Sequence, residues 1–257
     1  MPIALKTFTV QKEWEGCTWS VSSVDELANA IAIIAVGQAL HVASILHAAD
    51  LGAKPTTRGA VRGAIKLLTS PGNIAHRDGW MFQVMSWLAA QMRTPGALMN
   101  TPQMIHAHKG LDGLQVFIDA DQNVTAVVIF EDKATENPRA TVRDKVWPEF
   151  TAFESGENEN LVAAEVTSLL KDAGLSDPYQ AVAEIMWEQA RRYRVSITDD
   201  LSTDVSQAKL FKGYEKTVPG AVERRRAEIF EVTDLRKWMD DLAKMAIRKA
   251  EGLTTTD

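Results

Sequence analysis

One cysteine, Cys17, in a chain of 257 residues excludes an internal disulfide, and no neighbouring feature of the sequence marks it as a reactive thiol. Long unbroken apolar runs are missing too. The longest, around Leu27 to Ala49, is interrupted by Asn29, Gln38, His41, Ser44 and His47, which makes it a poor membrane span and a good buried helix. The opening MPIALKTFTVQKEWEG lacks the basic start and apolar stretch of a signal peptide, so a reducing, cytoplasmic setting without a membrane partner is expected. P-loop, GxGxxG and GxSxG patterns are absent, which removes the chemistries those motifs mark. There is no repeat and no low-complexity linker.

What is present is ordinary globular composition, 46% hydrophobic and 24% charged, enough for one large domain or two small ones. The net charge of −6 is unevenly spread: residues 1–26 carry −2, residues 27–111 carry +5 and residues 112–257 carry −9. All five histidines lie in the basic segment, which is where a polyanion would dock.

Periodicity predicts a helical front third. A helix runs from Ser23, a plausible N-cap with Glu26 three residues on, toward Leu51, with a break at Gly37. A second, Thr57 to Leu68, carries Arg58, Arg62 and Lys66 on one face, the expected track for a nucleic-acid backbone, although Gly59 and Gly63 weaken it. A third, Asp78 to Met92, presents an apolar stripe and stops at Thr94-Pro95-Gly96. The period then changes. A strand near Met99 to His106 precedes a β-hairpin that turns at residues 119–123. Helices follow over Thr141–Phe153, Asn160–Asp172 and Pro178–Arg192, then strands over Arg194–Thr198 and Arg224–Val232, and a closing helix over Asp234–Glu251. The expected class is α/β, divided into a helical N-terminal region (1–76) and a core with a C-terminal helix (77–257).

The hairpin is where chemistry concentrates. With the turn centred on Asp121, Asp112 faces Phe130 or Glu131. Alternation sends Val127, Ile129, Glu131 and Lys133 to one face and Val128, Phe130 and Asp132 to the other. Two acids converging at the end of an apolar hairpin invite a hard divalent cation, Mg²⁺ or Mn²⁺. An adjacent lysine suits phosphoryl chemistry, because it can orient water and neutralise charge on a phosphoryl oxygen. Every residue from Ala126 to Phe130 is apolar, so the strand is expected to be buried on both faces.

Gly110-Leu111-Asp112-Gly113, an apolar hairpin, and Val127-Val128-Ile129-Phe130-Glu131-Asp132-Lys133 together resemble the core motif of the PD-(D/E)XK, or restriction-endonuclease-like, superfamily. The resemblance implies a mixed sheet with a central hairpin flanked by helices, here with a helical N-terminal elaboration. It also implies that Asp112 and Glu131 hold the metal while Lys133 assists the attacking water. Leu111 stands where the family has its nominal proline. Many members carry a further acid on the preceding helix, where this chain offers Asp78, with Gln83 the nearest polar substitute. Arg139, Arg143 and Lys145 fall on the helix after the motif strand, near where the family places the scissile phosphate. The implied activity is a metal-dependent nuclease, DNA favoured over RNA, of the kind found among anti-phage or mobile-element conflict effectors. A protein partner of the helical region and a homodimer are the further expectations. The competing reading is a non-catalytic binding or assembly protein that keeps the nuclease-like fold, against which the intact Asp112, Glu131 and Lys133 argue.

Weaker constellations are set aside. Asp119-x-Asp121-x-Asn123 opens like a calcium loop but has Val124 at the sixth position, where such loops need glycine. His106-Ala107-His108 lacks the further ligands of a zinc site, and His108 is kept only as an auxiliary to the acidic site. Glu223 and Glu228 balance the Arg224-Arg225-Arg226 run.

Overall fold

The computed structural model describes residues 1–10, 13–46, 52–69, 72–106, 110–200 and 204–254. In chain order the elements are β1 (Ile3–Val10), β2 (Trp14–Val21), α1 (Val24–Ala35), α2 (Ala39–Ile45), α3 (Arg58–Thr69), α4 (Ile74–Arg93), β3 (Leu98–Met99), β4 (Gly113–Ile118) and β5 (Val124–Lys133). There follow α5 (Pro138–Thr141), α6 (Trp147–Glu154), α7 (Glu159–Asp172), α8 (Pro178–Ala183), α9 (Trp187–Ala190), β6 (Arg191–Asp199), α10 (Asp204–Leu210), α11 (Tyr214–Thr217), β7 (Arg225–Glu231) and α12 (Leu235–Glu251). The fold is α/β, with a seven-stranded mixed sheet in the order β1-β2-β7-β6-β5-β4-β3. Strands β5, β6, β7 and β2 run parallel, while β1 and the β4–β3 edge are antiparallel to their neighbours.

Each face of the sheet carries its own hydrophobic cluster. On one, α1, α3, α4 and α12 close over Val128, Phe130, Trp19 and Phe230. On the other, α6 and α7 close over Val127, Ile129, Tyr193 and Val195. Local sequence accounts for the helix ends. Ser23 caps α1 by accepting from the Glu26 N–H at 3.2 Å, and Asn73 caps α4 by accepting from Ala75 N at 3.1 Å. Gly37, at φ +91°, ends α1 in the left-handed region where the sequence breaks the helix.

The opening differs from the helical front expected. Residues 3–21 form a β-hairpin whose second strand pairs in parallel with β7, Cys17 opposite Glu228. A partner so distant in sequence leaves no local signature, and β1, alternately exposed at the sheet edge, lacks the apolar run of a central strand. The strand expected near Met99–His106 shrinks to Leu98–Met99. The helix expected over Pro178–Arg192 is two short ones, broken between Ala183 and Trp187, and the second stops at Ala190 because β6 begins at Arg191. Across the boundary expected at residue 76 a single cluster is continuous: Leu27, Ile31 and Leu68 pack with Phe82, Met85 and Met239. Among the described residues no helix is long and apolar enough to cross a membrane.

Candidate active site

Asp119 builds the hairpin turn by accepting from the N–H groups of Asp121 and Asn123, both at 2.9 Å. From that turn the register runs Leu114 to Ile129 and Gly113 to Phe130, so Asp112 leaves the strand one step further out, across from Glu131. Gly113 has to be glycine: a Cβ there would lie 2.7 Å from the Phe130 ring. The side-chain alternation matches the sequence reading, with Val127 and Ile129 in one cluster and Val128 and Phe130 in the other.

At the open end the ammonium of Lys133 sits between two carboxylates. It donates to Asp112 Oδ2 at 3.0 Å and makes an ion pair with Glu131 Oε2. Asp112 Oδ2 also accepts from the Asp132 N–H at 2.9 Å, and Oδ1 accepts from Gln83 Nε2 of α4 at 2.6 Å. Four residues singled out from the sequence, Asp112, Glu131, Lys133 and Gln83, are therefore in one constellation. Glu131 is buried, and its Oε2 is the oxygen that meets the Lys133 ammonium. Burial pushes the Glu131 carboxyl well above the usual carboxylate range; Asp112 pushes the same way and Lys133 opposes both. For Lys133, burial works against the charge, but Glu131 and Asp112 outweigh it and hold the ammonium above its ordinary value. Glu149 of α6, which the sequence reading did not select, adds its negative charge to the surroundings of Glu131. Its only sequence signal is its place on the helix after the motif.

Asp132 points to the opposite face and enters a buried polar network that the motif does not announce. Its Oδ1 accepts from Ser86 Oγ at 2.6 Å, Ser86 Oγ accepts from Arg194 Nη1 at 2.9 Å, and Arg194 pairs with Glu228. Trp19 Nε1 and Arg93 Nη1 complete Glu228 at 3.0 and 3.1 Å. Burial pushes Asp132 up to about 7, against the pull of Arg194. Glu228 is also penalised by burial, but Arg194 and Arg93 hold it below its ordinary value. Arg194 is fully buried in β6 and as a buried cation needs these partners, but among the arginines and hydroxyl residues of that strand nothing in the sequence singles it out.

The other sequence-selected residues are dispersed. Two short helices and a π-helical turn (Val142–Val146) make one rod, α5 to α6, against the cluster on the face to which Glu131 and Lys133 point. On it Arg139 is committed to the carbonyls of Leu210 and Lys212, each at 3.0 Å; Arg143 pairs with Asp144; Lys145 is exposed. Arg58, Arg62 and Lys66 are exposed on α3, in the helical layer over the opposite face. Asp78 is buried against Arg77 and Arg236, away from Asp112. His106 Nε2 bonds the Leu67 carbonyl at 2.7 Å, and His108 lies outside the described residues. Cys17 is buried, its thiol pushed up to about 12 chiefly by burial.

Asp112 and Glu131 offer hard oxygens of the kind a small divalent ion takes. Among the described residues no set of three His, Cys, Asp or Glu side chains is grouped to hold a metal, which leaves these two carboxylates as the residues that could contribute to one. Compared with known proteins, the chain matches no family model and no curated relative.

Proposed function

We propose that this chain is a metal-dependent nuclease that hydrolyses phosphodiester bonds, DNA before RNA, with Asp112 and Glu131 holding Mg²⁺ or Mn²⁺. One observation carries the reading: carboxylates from the two arms of a buried hairpin converge on a single ammonium, and one of them, Glu131, is buried. Such an arrangement costs stability in an apolar setting and is relieved by a cation. A bound divalent ion supplies Lewis-acid polarisation of the phosphoryl group.

The side chains do the rest. Lys133 stays charged at neutral pH, orients the attacking water and donates to the non-bridging oxygen on which charge builds. Gln83 fixes the Asp112 carboxylate from α4. Exposed Lys145 and Arg143, on the rod covering the same face, meet the flanking phosphates, whereas Arg139 holds the rod to the 210–212 segment. The test is cleavage of single- and double-stranded DNA and RNA with Mg²⁺, Mn²⁺ or EDTA, alongside calorimetric Mn²⁺ titration of the parent and of Glu131→Gln. Expected are cutting that EDTA abolishes and Mn²⁺ uptake that Glu131→Gln loses. Cutting that survives EDTA, or Mn²⁺ uptake indifferent to Glu131, overturns the reading.

A further inference from the structure

Arginines gather toward the amino-terminal ends of the parallel strands, whereas Glu131 and Lys133 stand at the carboxyl end of β5. Arg226 of β7 lies alongside Arg194 of β6, and Arg192 is two residues earlier on β6. All three side chains share the face that α4 covers. Arg194 bonds Ser86 of α4, and Arg191 turns the other way to the Phe153 carbonyl, so alternation puts Arg192 with Arg194. On β7, Ala227 belongs to the cluster under α6 and α7, so Arg226 and Glu228 face α4.

The last turn of α4 stands over the same place. Arg93 donates from Nη1 to Glu228 Oε1 at 3.1 Å, and the next residue, Thr94, accepts from Gln115 Nε2. Gln115 lies in one row of the sheet with Arg192, Val128 being between them. Arg93, Arg192 and Arg226 therefore border one area. Each is half-buried, which leaves the guanidiniums within reach of solvent.

The charges there do not cancel. Glu228 is fully used, with Arg93 on Oε1 and both Arg194 and Trp19 Nε1 on Oε2. Glu15 of β2 is alongside Arg226 in the sheet, yet among the described residues neither Arg226 nor Arg192 makes an ion pair or a side-chain hydrogen bond. Asp132 is further along the network, bonded to Ser86. Burial pushes the Arg226 guanidinium below its ordinary value, Arg93 and Arg194 push the same way, and the attraction of Glu228 and Glu15 does not make up the difference. Cations held out of water without a partner are costly, and an anion relieves them.

We propose that Arg93, Arg192 and Arg226 form a binding site for a phosphate dianion, either the free ion or a phosphate monoester. Several guanidinium forks around one spot suit a group whose oxygens accept from several donors at once. A phosphodiester offers fewer free oxygens and a single charge. The proposal stands apart from the nuclease reading, since it uses neither Asp112, Glu131 nor Lys133.

Calorimetric titration of the full chain with inorganic phosphate, in EDTA and against potassium chloride at matched ionic strength, tests this. Expected are saturable uptake of one phosphate per chain and a higher Tm in phosphate than in chloride. Arg226→Gln and Arg192→Gln should each weaken uptake at least about tenfold, the cost of a lost charge-assisted contact. In chloride alone neither should lower the Tm, because each removes an unpaired cation; if one variant fails to fold, the other keeps the test decisive. Lys133→Met should take up phosphate as the parent does. Binding of 5′-AMP with the same dependence on Arg226 assigns a monoester, and phosphate binding without it assigns the free ion. No uptake beyond chloride, uptake indifferent to Arg226 and Arg192, loss of uptake in Lys133→Met, or displacement by a DNA oligonucleotide without terminal phosphates would each overturn the proposal.

Discussion

Gln83 Nε2 donates to Asp112 Oδ1 at 2.6 Å, so a helix holds one oxygen of the first carboxylate while the hairpin, through Asp132 N–H and Lys133, holds the other. Removing such a support from a metal-ligating carboxylate typically costs 10–100-fold. Gln83→Ala should therefore lower Mn²⁺ affinity and cleavage by about that factor while leaving the circular dichroism spectrum unchanged. Calorimetry and initial rates check it; unchanged affinity would show that Asp112 needs no help.

Lys133 has two tasks that a substitution separates. As a cation it neutralises Asp112 and Glu131, and in the proposed reaction it serves as a donor. Lys133→Met should reduce the cleavage rate by about 10²–10³-fold, the usual cost of losing a donor to developing charge. Mn²⁺ binding should persist or tighten, because a competing cation is gone. Parallel rate and titration measurements distinguish this from general loss of the site.

Asp132 links pH to stability with a definite sign. Its folded-state value of about 7 lies above the ordinary 3.8, so between those values the folded chain holds a proton that the unfolded chain releases. Stability should then fall as pH rises from about 4 to about 7, by up to about 1.4 kcal/mol per pH unit for one proton. Asp132→Asn should flatten that slope in urea unfolding at pH 5, 6 and 7. A slope identical to the parent's would exclude Asp132 as its origin.

Breaking the Arg194–Glu228 pair from one side should be severe. Arg194→Met leaves Glu228 buried with Trp19 and Arg93 as its remaining partners, and loss of one member of a buried pair costs about 3–5 kcal/mol. Adding Glu228→Gln should restore part of the loss, and thermal unfolding of the double-mutant cycle reads the difference. Purely additive effects would mean that the pair is not coupled.

Contact with nucleic-acid phosphates should be confined to the face that carries Glu131 and Lys133. Lys145→Gln should lower the salt slope of nucleic-acid binding by about one unit, the value for one lost contact. Arg62→Gln with Lys66→Gln should leave it unchanged. Fluorescence anisotropy over a salt series measures both.

The hairpin and its register were legible because turn, alternation and apolar run agree within a short stretch, and Gln83 was picked out only as the nearest polar substitute for the further acid that the family resemblance implies. The helix limits were close for the same reason: Ser23 and Gly37 act locally. The partners of Asp132 were not legible, since Ser86, Arg194 and Glu228 lie on three different elements and only the folded sheet brings them together. Arg139 could not be told from Lys145 by spacing, because what distinguishes them is a pair of carbonyls in the 210–212 segment. The opening hairpin was hidden for a similar reason, its sheet partner being more than 200 residues away.

That last pairing imposes an order of events on synthesis. Strand β2 leaves the ribosome more than 200 residues ahead of the strand it must pair with, Arg225–Glu231. Until then β2 presents an unpaired edge carrying Trp14 and Trp19, a template for association with the wrong chain. The β4–β5 hairpin that brings Asp112 toward Glu131 closes locally and needs no such wait. Its other flank is filled only when β6 emerges, and β6 in turn needs β7. Nascent chains therefore hold the two acids near each other well before their burial is complete, and the sheet gains its full set of strands only once β7 has been made.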